Sequence, residues 1–320
     1  MREDGSIKPE WLSLIAHIDG LHPDERERAF ARGAQYLRDA GVFVRHYGED
    51  QNPRDWPLSP VPVIQPAREW KALGEGLAER ADLLEAIVAD LYGENRLVSE
   101  GHLPAGIVAS NPEWLRPLIG VKPASGHFLH FVGFEIGRGS DGKWWVLGDR
   151  TQAPSGAGYA LENRVASVRA FPGFYSGSHV ERLVGFFRGF RDGLNAMRRE
   201  EGSRAGILTP GPMNETYFEH AYIARYLGMM LLEGDDLVVN DGKLMVRTVS
   251  GPKPISVLWR RMDAAWSDPL ELAADSRLGT PGMLGAIRSQ GVTMINALGS
   301  GILESRAFLA FMPRLSEVLH

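Results

Sequence analysis

Gly148-Asp149-Arg150-Thr151-Gln152-Ala153-Pro154-Ser155-Gly156-Ala157-Gly158-Tyr159-Ala160-Leu161-Glu162-Asn163-Arg164 follows directly on an apolar run, Lys143 to Leu147. That run, Lys-Trp-Trp-Val-Leu, reads as a strand, so polar groups and glycines crowd its end as they do in a site. Two-residue alternation places Asp149 and Thr151 on one face there, where a carboxylate and a hydroxyl could share one magnesium ion. Ser155, Gly156 and Gly158 are small enough for backbone N–H groups to approach an anion or a substrate. The competing reading is a tight hairpin exit with Asp149 capping a turn. The length and density of the polar run weigh against it.

Working outward, Phe128 to Ile136 and Lys143 to Leu147 flank Gly137-Arg138-Gly139-Ser140-Asp141-Gly142, which predicts a β-hairpin. Glu135 would then lie near Asp149 as a second carboxylate. Further upstream, Trp11, Leu12, Ile15, Ile18, Phe30, Tyr36 and Leu37 carry helical spacing over residues 8–40, and Pro23-Asp24-Glu25 opens the second helix. Five prolines between Asn52 and Pro66 forbid regular helix and predict an extended crossing. A long helix follows over 69–92, with Trp70, Leu73, Leu77, Leu84, Ile87, Val88 and Leu91 on one stripe and Gly93 as its stop.

Downstream, 180–199 reads as a helix. Strand and helix signals then alternate: strand 206–209, helix 215–227, strand 229–232, a hairpin over 237–249 around Asn240-Asp241-Gly242, strand 255–259, helix 281–290, strand 292–296 and helix 303–311. Such alternation predicts an α/β fold with a parallel sheet, whose ligands bind beyond the carboxyl ends of the strands. The chain divides into a helical region with its proline-rich crossing (1–125), a hairpin and helix (126–200) and an α/β part (201–320).

Polar groups stand at those strand ends. Asn214, Glu219 and His220 follow the first strand through a Pro-Gly-Pro loop, although a histidine on a helix is as readily a satisfied, half-buried side chain. Arg260 and Arg261 leave an apolar strand together, so at least one should face the cleft or bind a carboxylate; Asp263, Asp268 and Glu271 come after them. Gly299-Ser300-Gly301 with Glu304 imitates a nucleotide loop but lacks the third glycine of a dinucleotide fingerprint, which leaves a nicotinamide oxidoreductase as a distant reading. There is no P-loop, no His-Glu-x-x-His and no Gly-x-Ser-x-Gly.

Composition narrows the classes. With 320 residues, 44% hydrophobic, the chain can bury a large core. It has no cysteine, which removes thiolate ligands, disulfides and thiol nucleophiles and fits a reducing, cytoplasmic setting. Forty acidic residues against 35 basic ones leave no excess cation for nucleic acid. No apolar run approaches the ~20 residues a membrane span requires, and the opening Met1-Arg2-Glu3-Asp4 does not lead into a secretory signal.

With these residues in view, the chain resembles the bacterial circularly permuted ATP-grasp family, related in design to glutathionylspermidine synthase and eukaryotic-type glutathione synthetase. The resemblance rests on Asp149 to Arg164, Asn214 to His220, Arg260 to Asp263 with Asp268 to Leu272, and Asn296 to Glu304. Glu69-Trp70, Gly76-Leu77 and Asp90 to Gly93 extend it into the helical part. It implies a helical N-terminal region, a hairpin element of a permuted ATP-grasp fold and a parallel-sheet substrate-binding subdomain, with ATP and Mg2+ as cofactors. ATP-grasp ligases hold magnesium with a Glu-x-Asn at a strand end. Asp149-x-Thr151 occupies that place with a shorter acid and a weaker oxygen ligand, so Glu162 and Asn163 would share the duty. Asp149, Arg150 and Arg261 become the catalytic set, with Arg261 holding a substrate carboxylate, while Ser155, Gly156, Tyr159, Asn214, His220 and Arg260 line the acceptor cleft. The implied reaction joins an acid, such as a peptide or amino acid, to an amine through an acyl phosphate, and needs no protein nucleophile. Family members continue past the equivalent of His320 into a segment that grips the nucleotide, so a separate or missing C-terminal ATP-binding part is expected. The alternative is a non-catalytic small-molecule or partner-binding module on the same fold.

Overall fold

The computed structural model describes residues 6–44, 54–59 and 61–319. Helices α1 (Pro9–Asp19) and α2 (Pro23–Asp39) both start on proline, where the missing N–H has no intrahelical partner to lose. Two-residue strands β1 (Phe43–Val44) and β2 (Arg54–Asp55) pair antiparallel. Part of the proline-rich crossing lies outside the described residues, and no helix forms in the part described. The long helix α3 (Ala67–Tyr92) follows, then the short α4 (Arg96–Ser99) and α5 (Ala105–Ala109).

The hairpin is β3 (Gly133–Arg138) with β4 (Trp144–Arg150). It is displaced from its expected position. Residues 128–132 are apolar apart from His130 yet do not join β3, because side chains take their N–H groups: Glu85 accepts from Phe128 and Leu129, and the Asn296 carboxamide oxygen accepts from His130 and Phe131. Strand β4 in turn runs through Asp149, paired with Phe134, so Asp149 lies inside the ladder.

Helices α6 (Ala157–Ala170), α7 (Pro172–Ser176) and α8 (Val184–Ala196) lead into the main sheet. Its elements are β5 (Arg204–Leu208), α9 (Tyr217–Leu227), β6 (Met230–Leu232), β7 (Leu237–Asn240), β8 (Lys243–Val246), β9 (Lys253–Arg260), α10 (Met283–Arg288) and β10 (Thr293–Ile295). Strands β6, β5, β9 and β10 are mutually parallel, as the alternation requires. The sheet is nevertheless mixed. Asp241 and Gly242 both take positive φ, 49° and 72°, so the chain turns straight back from β7 into β8 and the pair is antiparallel. Strand β8 pairs with the first residues of β9, and β10 takes the same edge further along. The helix expected over 303–311 is instead two 3-10 segments, Ser300–Glu304 and Arg306–Ala310, before α11 (Met312–Leu319).

Both faces of the sheet are covered, the usual state of parallel strands. Leu208, Leu232 and Leu258 face a core built with Leu84, Ile87, Val88 and Leu91 of α3, Phe128, Ile302 and Phe308. Their neighbours Ile207 and Val257, with Trp259 and Ile295, face Phe187 and Leu194 of α8 and Ile223 and Leu227 of α9. A smaller core joins α2 to α6 through Leu37, Val42, Tyr159 and Ala166. Among the described residues no helix is long and apolar enough to cross a membrane.

Candidate functional site

The carboxyl ends of β9 and β10 and the helix that follows β5 converge on one segment, residues 149–158. From the end of β9, Arg260 is fully buried and donates to the main-chain carbonyls of Gln152 (3.0 Å) and Met262. Arg261 donates to the carbonyl of Pro154 (2.6 Å), to Ser155 Oγ (2.9 Å) and to Glu219 (3.3 Å), with its guanidinium 5.0 Å over the Trp259 ring. Burial lowers the pKa of both arginines. Arg260 falls to about 10, opposed by the nearby Asp263 and Glu113, and Glu219 opposes the shift at Arg261. Arg260 therefore stays cationic at neutral pH, and the Arg261 guanidinium has Glu219 as its counter-charge.

Helix α9, after β5, supplies Glu219 and His220. The Glu219 carboxylate accepts the N–H groups of Gly156 and Gly158, both at 2.8 Å, at the start of α6. An anion suits a helix N-terminus, so the small-residue loop does receive a carboxylate, but the protein's own. A Cβ on residue 158 would stand 2.9 Å from Glu219 Cγ, which accounts for the glycine. His220 is buried with both ring nitrogens engaged, Nδ1 with Thr209 Oγ1 (2.9 Å) and Nε2 with Thr216 Oγ1 (3.0 Å). Burial, reinforced by Arg261, lowers its pKa to about 3, so the ring is neutral. Half-buried Asn214 accepts from the N–H and hydroxyl of Thr216 and shapes the entry to α9.

Beyond β10, the Asn296 amide donates to the carbonyls of Phe131 and Thr151, both at 2.7 Å, and Ser300 Oγ donates to the same Thr151 carbonyl. Glu304 accepts the N–H groups of Thr151 (2.8 Å) and Gln152 (2.7 Å). The motif that imitated a nucleotide loop thus serves as a brace for the segment.

Asp149 is buried and bonded through both oxygens to Arg80 of α3, at 2.7 Å each. Sequence reasoning missed Arg80. The signal was present, since 80 continues the 77, 84, 87, 91 stripe and a charge on an apolar stripe requires a buried partner. The Thr151 hydroxyl donates to the carbonyl of Ser300 (2.8 Å). Arg150 pairs with Glu135, which lies opposite Gly148, and stands 3.7 Å from Glu304. Glu162 is buried beside Tyr36 and Tyr222; burial first and Glu162 second raise both phenols, Tyr36 to about 12. Asn163 accepts from the Trp56 indole (2.9 Å), and Tyr159 stacks on that ring at 4.3 Å.

The four expected magnesium ligands therefore face four separate surroundings, and Glu162 Oε2 is buried with no partner among the described residues. Consecutive residues on α6 point about 100° apart, which turns Glu162 and Asn163 to different neighbours. Among the described residues no three His, Asp or Glu side chains gather as a metal centre. Asp268 and Glu271 are structural: Asp268 accepts the N–H groups of Leu270, Gly282 and Leu284 around the start of α10, and Glu271 pairs with Arg288.

The family model for circularly permuted ATP-grasp type 2 matches residues 62–320. An uncharacterized protein of Mycobacterium tuberculosis (strain ATCC 25618 / H37Rv) is 37% identical over 99% of this chain, which covers 37% of that protein. An uncharacterized protein of Synechocystis sp. is 33% identical over 97% of this chain and 65% of its own length. The chain thus spans between about a third and two thirds of these relatives. Among solved structures, a glutathione synthetase-like effector from Globodera pallida, in its apo form, aligns with a TM-score of 0.51 at 12% identity, covering 93% of this chain and 70% of that one. At that identity the likeness concerns the fold.

Proposed function

The chain belongs to the circularly permuted ATP-grasp type 2 family, and from that premise we propose that it forms the acceptor side of an ATP-dependent carboxylate–amine ligase. Family membership points to ATP-dependent, ligase-type chemistry on small molecules, with ATP generally bound together with Mg2+. What supports the finer reading is the convergence of the ends of parallel strands β9 and β10, with the helix after β5, on residues 149–158, the place where α/β sheets bind ligands. The oxygens this chain offers beside Asp149 do not fit a Mg2+ ion, since Arg80 holds both carboxylate oxygens and Ser300 takes the Thr151 hydroxyl.

In such a reaction a substrate carboxylate oxygen attacks the γ-phosphorus of ATP and ADP leaves. An amine then attacks the acyl carbon, phosphate leaves, and the nitrogen sheds a proton as the amide forms. Positioning is the main demand on the protein. Ser155 is exposed, and its hydroxyl rests on Arg261. At 3.3 Å the Arg261–Glu219 contact is long for a charge-assisted bond, so an incoming carboxylate can compete for the same N–H group. Arg260, Glu304 and Asn296 keep the segment under Ser155 and Gly156 fixed while that exchange occurs. Asn214, His220 and Tyr159 act behind them by holding α9 and α6.

The test is phosphate release from ATP by the full-length Synechocystis relative with Mg2+ and a panel of amino acids, peptides and amines. Release should require both an acid and an amine. The variant equivalent to Arg261→Met should lose roughly 10²–10³-fold, with the lysine variant in between. Absence of acid- and amine-dependent release across the panel would leave a binding module, the reading favoured by the sealing of Asp149 under Arg80.

A further inference from the structure

A recess opens beside the braced segment, between α5 with the loop after it and the 3-10 turns at 300–310. Its volume is about 640 Å³, and Ile107, Ser110, Glu113, Gln152, Glu304 and Ala307 are among its walls. That is the size range of small-molecule sites. Its titratable lining is acidic throughout, Glu113 and Glu304, with no lysine, arginine or histidine. Glu304 spends one oxygen on the N–H groups of Thr151 and Gln152 and has Arg150 3.7 Å from the other, so it is the lesser of the two contacts. Glu113 is less satisfied: Gln152 hydrogen-bonds its carboxylate, yet Oε2 is buried and has no partner among the described residues. Burial and the charge of Asp263 raise its pKa, and Arg260 only partly offsets them. Arg260 does not fill the gap: two of its nitrogens bond the carbonyls of residues 152 and 262, and its Nε, though buried without a partner among the described residues, makes no bond to Glu113. A buried carboxylate oxygen left bare is a rare and costly feature; Oε2 lies against Gly301, and a rotation of the half-buried Glu113 side chain brings it to a cation in the recess.

We propose that this recess binds the ammonium end of an alkylamine, with Glu113 as the principal contact, Glu304 beside it, and Ile107 and Ala307 against the carbon chain. Two carboxylates and an apolar wall suit an amphipathic monocation better than Mg2+ or Ca2+, which take six or more oxygens. Gln152 forms the floor and belongs to the segment carrying Ser155, so the recess adjoins the proposed acid site. Identification of the amine as the nucleophile of ligation rests on the ligase reading; the binding itself does not.

The experiment is isothermal titration of this chain at constant ionic strength with n-butylammonium, 1-butanol and butyrate. Saturable binding of n-butylammonium alone is expected. Glu113→Gln, which keeps the shape and the Gln152 contact, should weaken it roughly tenfold or more. Ala307→Trp, at an exposed position on the wall, should block it with an unchanged circular dichroism spectrum. Equal binding of the alcohol, an unaltered affinity in either variant, or no saturable heat overturns the proposal. In the full-length relative, the variant equivalent to Glu113→Gln should raise KM for the amine and leave KM for the acid alone. Butylammonium binding that depends on Glu113, with no turnover in that relative, would end the ligase reading and leave the ammonium site standing.

Discussion

Glu219 sets a buried carboxylate against two main-chain N–H groups and a buried guanidinium, so its removal leaves both N–H groups unpaired and Arg261 without its counter-charge. Glu219→Ala should cost about 3–5 kcal/mol, the usual loss when one partner of a buried ion pair is deleted, read from urea unfolding; a loss under ~1 kcal/mol would mean that water replaces the carboxylate. His220 makes a prediction about pH. Its pKa in the folded chain, about 3, lies below the ordinary 6.5, so between those values the unfolded chain binds the extra proton. The contribution of His220 is complete above about pH 6.5 and is lost as pH falls toward about 3. His130, lowered to about 4 by burial and then by His127, acts in the same direction over a narrower window. The pH dependence of stability in His220→Gln should be shallower than in the parent by up to about 1.4 kcal/mol per pH unit. Superimposable profiles would show that the ring is protonated in the fold.

Among the elements, the contact of α6 with α9 decides how closely Glu219 approaches its N–H donors. Gly158→Ala would press on Glu219 Cγ at 2.9 Å and Ile223 Cγ1 at 3.3 Å. It should destabilise by about 1–3 kcal/mol, as overpacking does. Gly189→Ala on α8 is the control: nothing lies within 4 Å of the added methyl, and helix propensity predicts a gain of roughly 0.5–1 kcal/mol. Thermal unfolding should move the two variants in opposite directions. The same scale shows what pattern reading sees. Alternation and spacing locate β4, α3 and α9 because each buries one face. Phe128 to Val132 reads as strand for the same reason, but the ladder it would need is replaced by Glu85 and Asn296, which lie 43 or more residues away in the chain.

For the whole molecule, Arg80 and Asp149 tie α3 to the hairpin across 69 residues of sequence. Arg80→Met should cost about 3–5 kcal/mol by leaving Asp149 buried and unpaired, while Arg80→Met with Asp149→Leu should recover most of the loss. A double-mutant cycle on urea midpoints measures this; a double variant as unstable as the single one would show that geometry, and not charge pairing, is at stake. The ammonium recess belongs to this scale too, because its walls come from stretches separated by about 190 residues in the chain.

Local pattern alone determined the mixed α/β class, the hairpin, the parallel order of strands separated by helices, and the polar stretch around which the site is built. Each of these follows from forces acting over a few residues: side-chain periodicity, turn chemistry and the need to bury one face. Tertiary structure decided which partner each polar group meets, because that depends on charges brought together from distant segments. Asp149 and Thr151 looked open and are held by Arg80 and Ser300, the glycine loop cradles Glu219, and the bare oxygen of Glu113 emerged only once α5 had packed beside the turns after β10.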